Sequence, residues 1–463
     1  MPLVAGVDSS TQSVKVVIRD ALTGALVRES RIWHPLGTEV DPVHWWTALQ
    51  LAISDAGGLE DVEIISIGGQ QHGMVALDKA GNVIRPALLW NDTRSFQNAA
   101  DLNTEIPEIA QAVGSHLVAA FTISKVRWLA ENEPANAEKI AALCLPHDWL
   151  SWKLQGKIDL SLLFTDRSDA SGTGYFDPRK SEYRRDILAI AIKSNREIVL
   201  PKIISLNGIG GTTPAGVKIA AGAGDNAGAA FGLNAKPGDV VVSLGTSGTA
   251  FSVSETSTHD QSGEVAGFAD LTGRFLPLVC TLNAARIIDA ACAILGVSHE
   301  ELSDLALQSP AGAHGLTLLP YFEGERTPNR PNATGVLSGL NLENSNRADI
   351  ARAYVEGMLC GLADAVESLV KSGVEVKRIL LIGGAAKNKA VSEIASALFA
   401  REVLVPPAGE YVANGAARQA AWACLRTETA PEWNLGEVLV VNSEPTPQVL
   451  AQYRKLRDQT LSW

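Results

Sequence analysis

Two segments 235 residues apart follow one pattern, and that repetition constrains the fold more than any other feature of the chain. An apolar run at residues 3–7 passes through Asp8-Ser-Ser-Thr-Gln-Ser13 into a second apolar run at 14–18. Far downstream, an apolar run at 239–244 passes through Gly245-Thr-Ser-Gly248 into another at 249–253. Strands joined by so short a polar link predict hairpins with small hydroxylated residues at the tip. Laying Thr11 on Thr246 aligns strand, tip and strand without a gap. Each half also carries a later strand that runs into a glycine pair, 64–67 into Gly68-Gly69 and 378–382 into Gly383-Gly384. The order predicts two α/β domains born of a duplication, 1–234 and 235–463, meeting in the Gly/Pro/Lys break at 232–238. Chance is the alternative, because valine-rich strands with Gly/Ser turns are common. A third strand at 25–32 and a helix capped by Asp41, with Pro42 in its first position, complete the opening of the first half.

With 463 residues, 46% of them hydrophobic, the chain can bury two sizeable cores. Its 39 Lys and Arg against 51 Asp and Glu leave a net charge of −12, which argues against nucleic acid and anionic membrane surfaces as partners. An anionic ligand must therefore find a local pocket of donors. The five cysteines, at 144, 280, 292, 360 and 424, show no CxxC spacing and read as reduced thiols without a zinc site. No apolar run approaches about 18 residues, and Met-Pro-Leu-Val-Ala-Gly lacks the basic start of a secretory leader, so a cytoplasmic location is expected. Residues 449–463 have helical apolar spacing, suited to packing on their own domain or, failing that, on a second copy in a homodimer.

A hairpin tip that offers consecutive N–H groups beside hydroxyls is a nest for anions. Two such tips facing each other across an interdomain cleft can hold a phosphate chain without the GxxxxGK[ST] loop, which is absent here. Asp8 at the first tip would repel phosphate unless a divalent cation intervened, so it predicts Mg2+, with Lys15 reaching back to the phosphates. The plainer alternative is a turn-capping Asp8. Gly222-x-Gly224-x-x-Ala227 loosely matches a dinucleotide fingerprint. Asp225 inside the would-be pyrophosphate loop, no acidic residue about 20 positions on, and a place at a domain's end argue against that match. Asp225-Asn226 at a helix start instead offers a carboxylate that can accept a hydroxyl proton, or merely a helix cap. Gly69-Gln-Gln-His-Gly-Met74 places His72 beside two amides, a set suited to a polyol, though a lone His is often structural. Trp90-Asn-Asp92-x-Arg94, after an expected strand at 83–89, could cover a sugar face; equally, Asp92 and Arg94 could simply pair.

These residues give the chain a resemblance, over essentially its whole length, to the FGGY carbohydrate kinases. The motifs that carry it are Asp8-x-x-Thr11-x-Ser13, Gly69-Gln-Gln-His-Gly73, Trp90-Asn-Asp-x-Arg94, Lys125-Val-Arg-Trp128, Asp166-x-Ser-Asp169, Gly224-Asp-Asn226, Ser243-Leu-Gly-Thr-Ser-Gly248, Gly324-Glu-Arg-Thr-Pro328 and Gly383-Gly-Ala-Ala386. The resemblance implies two actin-like (ribonuclease H-like) α/β domains with a catalytic interdomain cleft, the first binding sugar and the second nucleotide. It implies ATP-dependent phosphorylation of D-xylulose at its terminal hydroxyl; the alternatives are another pentulose, a polyol or gluconate as substrate and, behind those, a non-catalytic sugar or nucleotide sensor on the same fold. By that likeness Asp225 is the proton acceptor, Gln71 and His72 hold the sugar with Asn226 and Asp92 beside it, and Asp8 acts through Mg2+. Thr11, Lys15, Gly245 and Thr246 would contact phosphates, and Gly384 and Asn388 would flank the adenosine. Ser10 departs from the family's usual glycine, so the first tip needs either an ordinary backbone conformation or a compensating hydroxyl bond.

Overall fold

The computed structural model describes residues 1–434 and 436–461. The opening apolar runs form β1 (Leu3–Ser9) and β2 (Ser13–Asp20), and β3 (Leu26–Trp33) extends them into an antiparallel meander. β4 (Val62–Gly69) lies parallel to β1 on its other side. With β5 (Ile209–Thr212) and β6 (Lys218–Ala220) the sheet runs β5-β6-β4-β1-β2-β3. Its central strands read as continuous apolar runs because both faces are covered. Ala5, Val7 and Val16 pack with Trp45, Leu49 and Ala52 of helix Pro42–Asp55, while Val4, Val17 and Ile64 pack with Ala413, Ala417 and Ala420 of helix Tyr411–Leu425. The first of these helices starts as its sequence predicts, with the Asp41 carboxylate accepting from the Val43 N–H and Pro42 in the first turn.

In the second half, β7 (Asp239–Leu244), β8 (Gly248–Ser252), β9 (Phe275–Thr281), β10 (Arg378–Ile382), β11 (Val403–Val405) and β12 (Leu439–Val441) follow the order β9-β8-β7-β10-β11-β12. Six strands repeat the pairing plan of the first sheet, although β5 precedes its partner β6 in the chain whereas β12 follows β11, and Ala266–Ala269 extends the second sheet beyond β9. A meander leads; β4 and β10 lie parallel to β1 and β7; β6 and β11 lie parallel to those; and β5 and β12 close the edge antiparallel. The duplication expected from short motifs is therefore written across whole sheets. One detail differs: the first hairpin pairs Ser9 with Val14 and the second pairs Leu244 with Gly248, so the first loop is one residue longer and the ungapped alignment fails at the return strand.

The described chain forms two compact units. One holds Met1–Asn234, Glu255–Leu276 and the stretch from Gly409 that carries helix Tyr411–Leu425; the other holds Ala235–Ser254, Pro277–Ala408 and the stretch from Gly436. Two pieces of the expected second half thus fold with the first. Helix Tyr411–Leu425 does so with its alanine face close against the sheet at Gly6 of β1, where a Cβ would sit 2.0 Å from the Ala413 carbonyl oxygen. The expected strand at 83–89 shrinks to Ala87–Leu88, since Pro86 has no N–H to give a ladder. Residues 447–459 form helix Pro447–Gln459, whose Tyr453 is buried and whose Arg454 and Arg457 pair with Asp364 of the same unit. Ser462 and Trp463, the end of that expected helix, lie outside the described residues.

Candidate active site

Asp8 is the penultimate residue of β1, and the hairpin register sets it directly opposite Lys15. Cross-strand partners share a face, so Lys15 Nζ reaches Asp8 Oδ2 at 3.1 Å, and it also reaches Glu410 Oε2 at 2.7 Å. Burial raises the Asp8 pKa, with Lys15 pulling the other way. Asp8 Oδ1 is buried with no hydrogen-bond partner, an arrangement that costs stability unless a ligand completes it. Ser10 answers the question its sequence raised on both counts: its φ is not positive, and its backbone N–H and hydroxyl both donate to the Ser13 carbonyl, at 3.0 and 2.9 Å. Thr11 Oγ1 accepts from Trp90 Nε1 at 2.9 Å, which ties the phosphate-suited tip to the aromatic residue expected over a sugar.

The glycine-flanked turn after β4 carries the sugar-suited donors. His72 sits in the left-handed region at φ 70°, and three groups pin it there. Lys125 Nζ and the Thr122 hydroxyl donate to its carbonyl at 3.0 and 3.1 Å, and its Nδ1 lies 2.6 Å from the Gly172 carbonyl. Its ring rests against Phe121 and Phe268, with centroids 4.9 and 5.5 Å away. Lys125 is wholly buried, and burial lowers its pKa to about 7 against the pull of Asp92. Gln71, also buried, donates through Nε2 to the Ser168 carbonyl at 3.2 Å. Asp92 is paired with Arg94, whose Nε reaches both its oxygens, at 2.9 and 3.1 Å.

Asp225 opens helix Asp225–Gly232, but the N-cap is Gly224, so capping does not account for the carboxylate. Its Oδ1 accepts from the Asn226 N–H at 2.7 Å and from Asn226 Nδ2 at 2.8 Å. Burial and then the negative charge of Asp8 raise its pKa to about 7, although Asn226 works against the shift. A carboxylate so poised is a competent general base near neutral pH. In the second unit Thr246 stands exposed at the tip of β7–β8. Gly383, at φ 97°, must be glycine because a Cβ would meet the Leu244 carbonyl oxygen at 2.4 Å, while the side of Gly384 is open. The Asn388 side chain is engaged: Oδ1 accepts from the Val391 N–H at 3.2 Å and Nδ2 donates to the His299 carbonyl at 3.0 Å.

Sequence reasoning gave no role to a buried cluster behind these groups. His147 Nδ1 lies 2.6 Å from Asp169 Oδ2 and 3.2 Å from Asp148 Oδ1. Burial opposes charge on the ring, but the two carboxylates outweigh it and raise the His147 pKa. The shorter contact has the length of a charge-assisted hydrogen bond. Ser168 and Asp169 lie in a motif already visible as Asp166-x-Ser-Asp169, whereas no sequence motif pointed to His147.

Two like-built α/β units, one bearing a poised carboxylate beside amide and imidazole groups, describe a two-domain kinase of the sugar kinase and actin-like superfamily. The chain belongs to the FGGY family of carbohydrate kinases, whose N-terminal domain matches residues 3–232 and whose C-terminal domain matches residues 240–424. It is 40% identical to a xylulose kinase of Streptomyces coelicolor over 91% of this chain and 88% of that one. A xylulose kinase of Haemophilus influenzae is 32% identical over 90% of each chain. The crystal structure of a xylulose kinase from Bifidobacterium adolescentis superposes with a TM-score of 0.92 at 47% identity, covering 98% of this chain and 99% of the other. The protein is thus a carbohydrate kinase, with a sugar and ATP as its substrates. Among the described residues no helix is long and apolar enough to cross a membrane.

Proposed function

We propose that the protein phosphorylates D-xylulose at its terminal hydroxyl, giving D-xylulose 5-phosphate, with Asp225 as proton acceptor. The observation that carries this reading is the state of Asp225: a pKa near 7, Oδ1 held by Asn226, and Oδ2 left to take the proton. Gln71 and His72 bind and orient the sugar, with Asn226 and Asp92 beside it; the likeness to xylulose kinases supports the choice of ketose. Phosphoryl transfer has a loose transition state, so orientation and charge neutralisation count for more than early proton removal. The first unit holds the sugar and the second the nucleotide, through Gly245, Thr246, Gly384 and Asn388, with Thr11 and Lys15 on the phosphates. Asp8 fits an Mg2+ ion, since Oδ1 is free and Lys15 occupies only Oδ2. Such an ion, bound through one carboxylate and the phosphates, supplies charge neutralisation at the transferring group. The reaction is placed in the cytoplasm. An ADP-release assay over D-xylulose, L-ribulose, L-xylulose, glycerol and gluconate tests the reading. D-Xylulose should show the highest kcat/KM, and a higher value for any other substrate overturns the assignment.

A further inference from the structure

The turn at residues 166–172 bonds Gln71, His72 and the residue before Asp225, yet it has no role of its own. Asp166 caps helix Arg167–Ala170 by accepting from the Ser168 and Asp169 N–H groups. Within the turn Ser168 is fully buried and faces two ways. Its carbonyl accepts from Gln71 Nε2 at 3.2 Å, and its hydroxyl accepts from the Gly224 N–H at 3.1 Å, one residue before Asp225. Gly224 in turn pairs with Gly69 at the end of β4, two residues before Gln71, and a Cβ on it would sit 2.7 Å from Gln71 Nε2. Sugar amide, serine and helix start therefore form one closed packing unit. The rest of the approach to Asp225 is gripped as well, since the Gln419 side chain binds both the N–H and the carbonyl of Gly222, at 3.0 and 2.9 Å.

We propose that Ser168 is a positioning residue that sets the distance between the sugar-binding amide of Gln71 and the carboxylate of Asp225. This rests on the reading of Asp225 as base and Gln71 as sugar donor. The two contacts come from different parts of Ser168, so they separate experimentally. Ser168→Ala keeps the carbonyl that holds Gln71 and deletes only the hydroxyl beneath the base. Steady-state kinetics should then show kcat falling about 10- to 100-fold while the KM for sugar moves less than about threefold, because misplacing a catalytic group by a fraction of an ångström to 1 Å costs that much. Ser168→Thr, which restores the hydroxyl, should recover most of kcat; loss of packing alone would not give that split or that rescue. Should the alanine variant not fold, Ser168→Cys keeps the volume, weakens the acceptor and should give the same split in smaller measure. A kcat within about threefold of the parent in Ser168→Ala, a KM that rises as far as kcat falls, or no rescue by threonine overturns the proposal. Asp225→Asn in the same assay keeps the two readings apart. Normal turnover there removes the base, whereas an inactive Asp225→Asn beside a normal Ser168→Ala removes only the positioning role.

Discussion

In the first unit the hairpin turns through four residues between the paired Ser9 and Val14; in the second it turns through three between Leu244 and Gly248. One pair further from the tip, the first unit sets Asp8 against Lys15 and the second sets Ser243 against Thr249. A charged pair thus occupies the place where the copy carries two hydroxyls. The extra residue in the first loop lets Ser10 close its own turn, while the second tip leaves Thr246 exposed between glycines. The sheets around the tips share the order and pairing of six strands, while the tips differ. The first tip thus presents charge, and the second presents neutral hydroxyls.

That division is tested hardest at Asp225. If the chemistry resides in the first unit, Asp225→Asn should lower kcat by about 10²- to 10⁴-fold with sugar affinity retained, measured as kcat against calorimetric sugar binding. Near-parental turnover would leave the first unit without a base. The two tips can be set against each other directly. Asp8→Asn should cost about 10²- to 10³-fold in kcat and raise the Mg2+ concentration needed for half-maximal rate, whereas Ser243→Ala at the matching place should stay within about threefold. Equal losses would show that the tips share one task.

The pH profile carries the same asymmetry. Asp225 accepts a proton only when ionised, and its pKa lies near 7, so kcat/KM should fall about tenfold per pH unit below 7 and level off above it. Its folded pKa lies above the unfolded value, so its contribution to stability is present below about pH 4 and is lost as pH rises through about 7. Asp225→Asn should remove that stability slope. A kcat/KM flat from about pH 5.5 to about pH 7 would mean that another group takes the proton.

Much of this was legible in the sequence because it rests on local rules. The hairpins, the Asp41 cap, the strand–glycine pairs and Asp225 at a helix start all follow from residues a few positions apart. The strand expected at 83–89 shortens to Ala87–Leu88 because Pro86, without an N–H, outweighs the apolar residues around it. The return of helix Tyr411–Leu425 to the first unit was not legible, because it brings together Gly6 and Ala413, some 400 residues apart, and no local pattern records that. The same holds for Ser168 and Lys125: each stood in a quoted motif, but their partners, Gly224, Gln71 and His72, lie on other elements.

At the second tip, Thr246→Val removes a hydroxyl while keeping the shape. If that tip serves the phosphates, the KM for ATP should rise about three- to tenfold with the sugar KM unchanged, as expected for one neutral hydrogen bond. A shift in the sugar KM instead would place Thr246 on the wrong substrate.

The smallest effects concern how each loop closes. Ser10→Ala deletes a half-buried hydroxyl that donates to the Ser13 carbonyl, a loss of about 0.5–1.5 kcal/mol that calorimetry should show as a Tm lowered by a few degrees. The converse change, Gly245→Ser, brings the first tip's residue type into the second. Gly245 does not have a positive φ, and a Cβ there would meet only the Ser247 carbonyl oxygen, at 3.3 Å, so space and backbone both admit it. In the three-residue loop that carbonyl lies two residues on, not three as Ser13 lies from Ser10, and Tm should move by less than about 1 °C. A gain as large as the loss in Ser10→Ala would mean that the extra residue of the first loop is not what lets its serine close the turn, and the contrast between the tips would then rest on Asp8 and Lys15 alone.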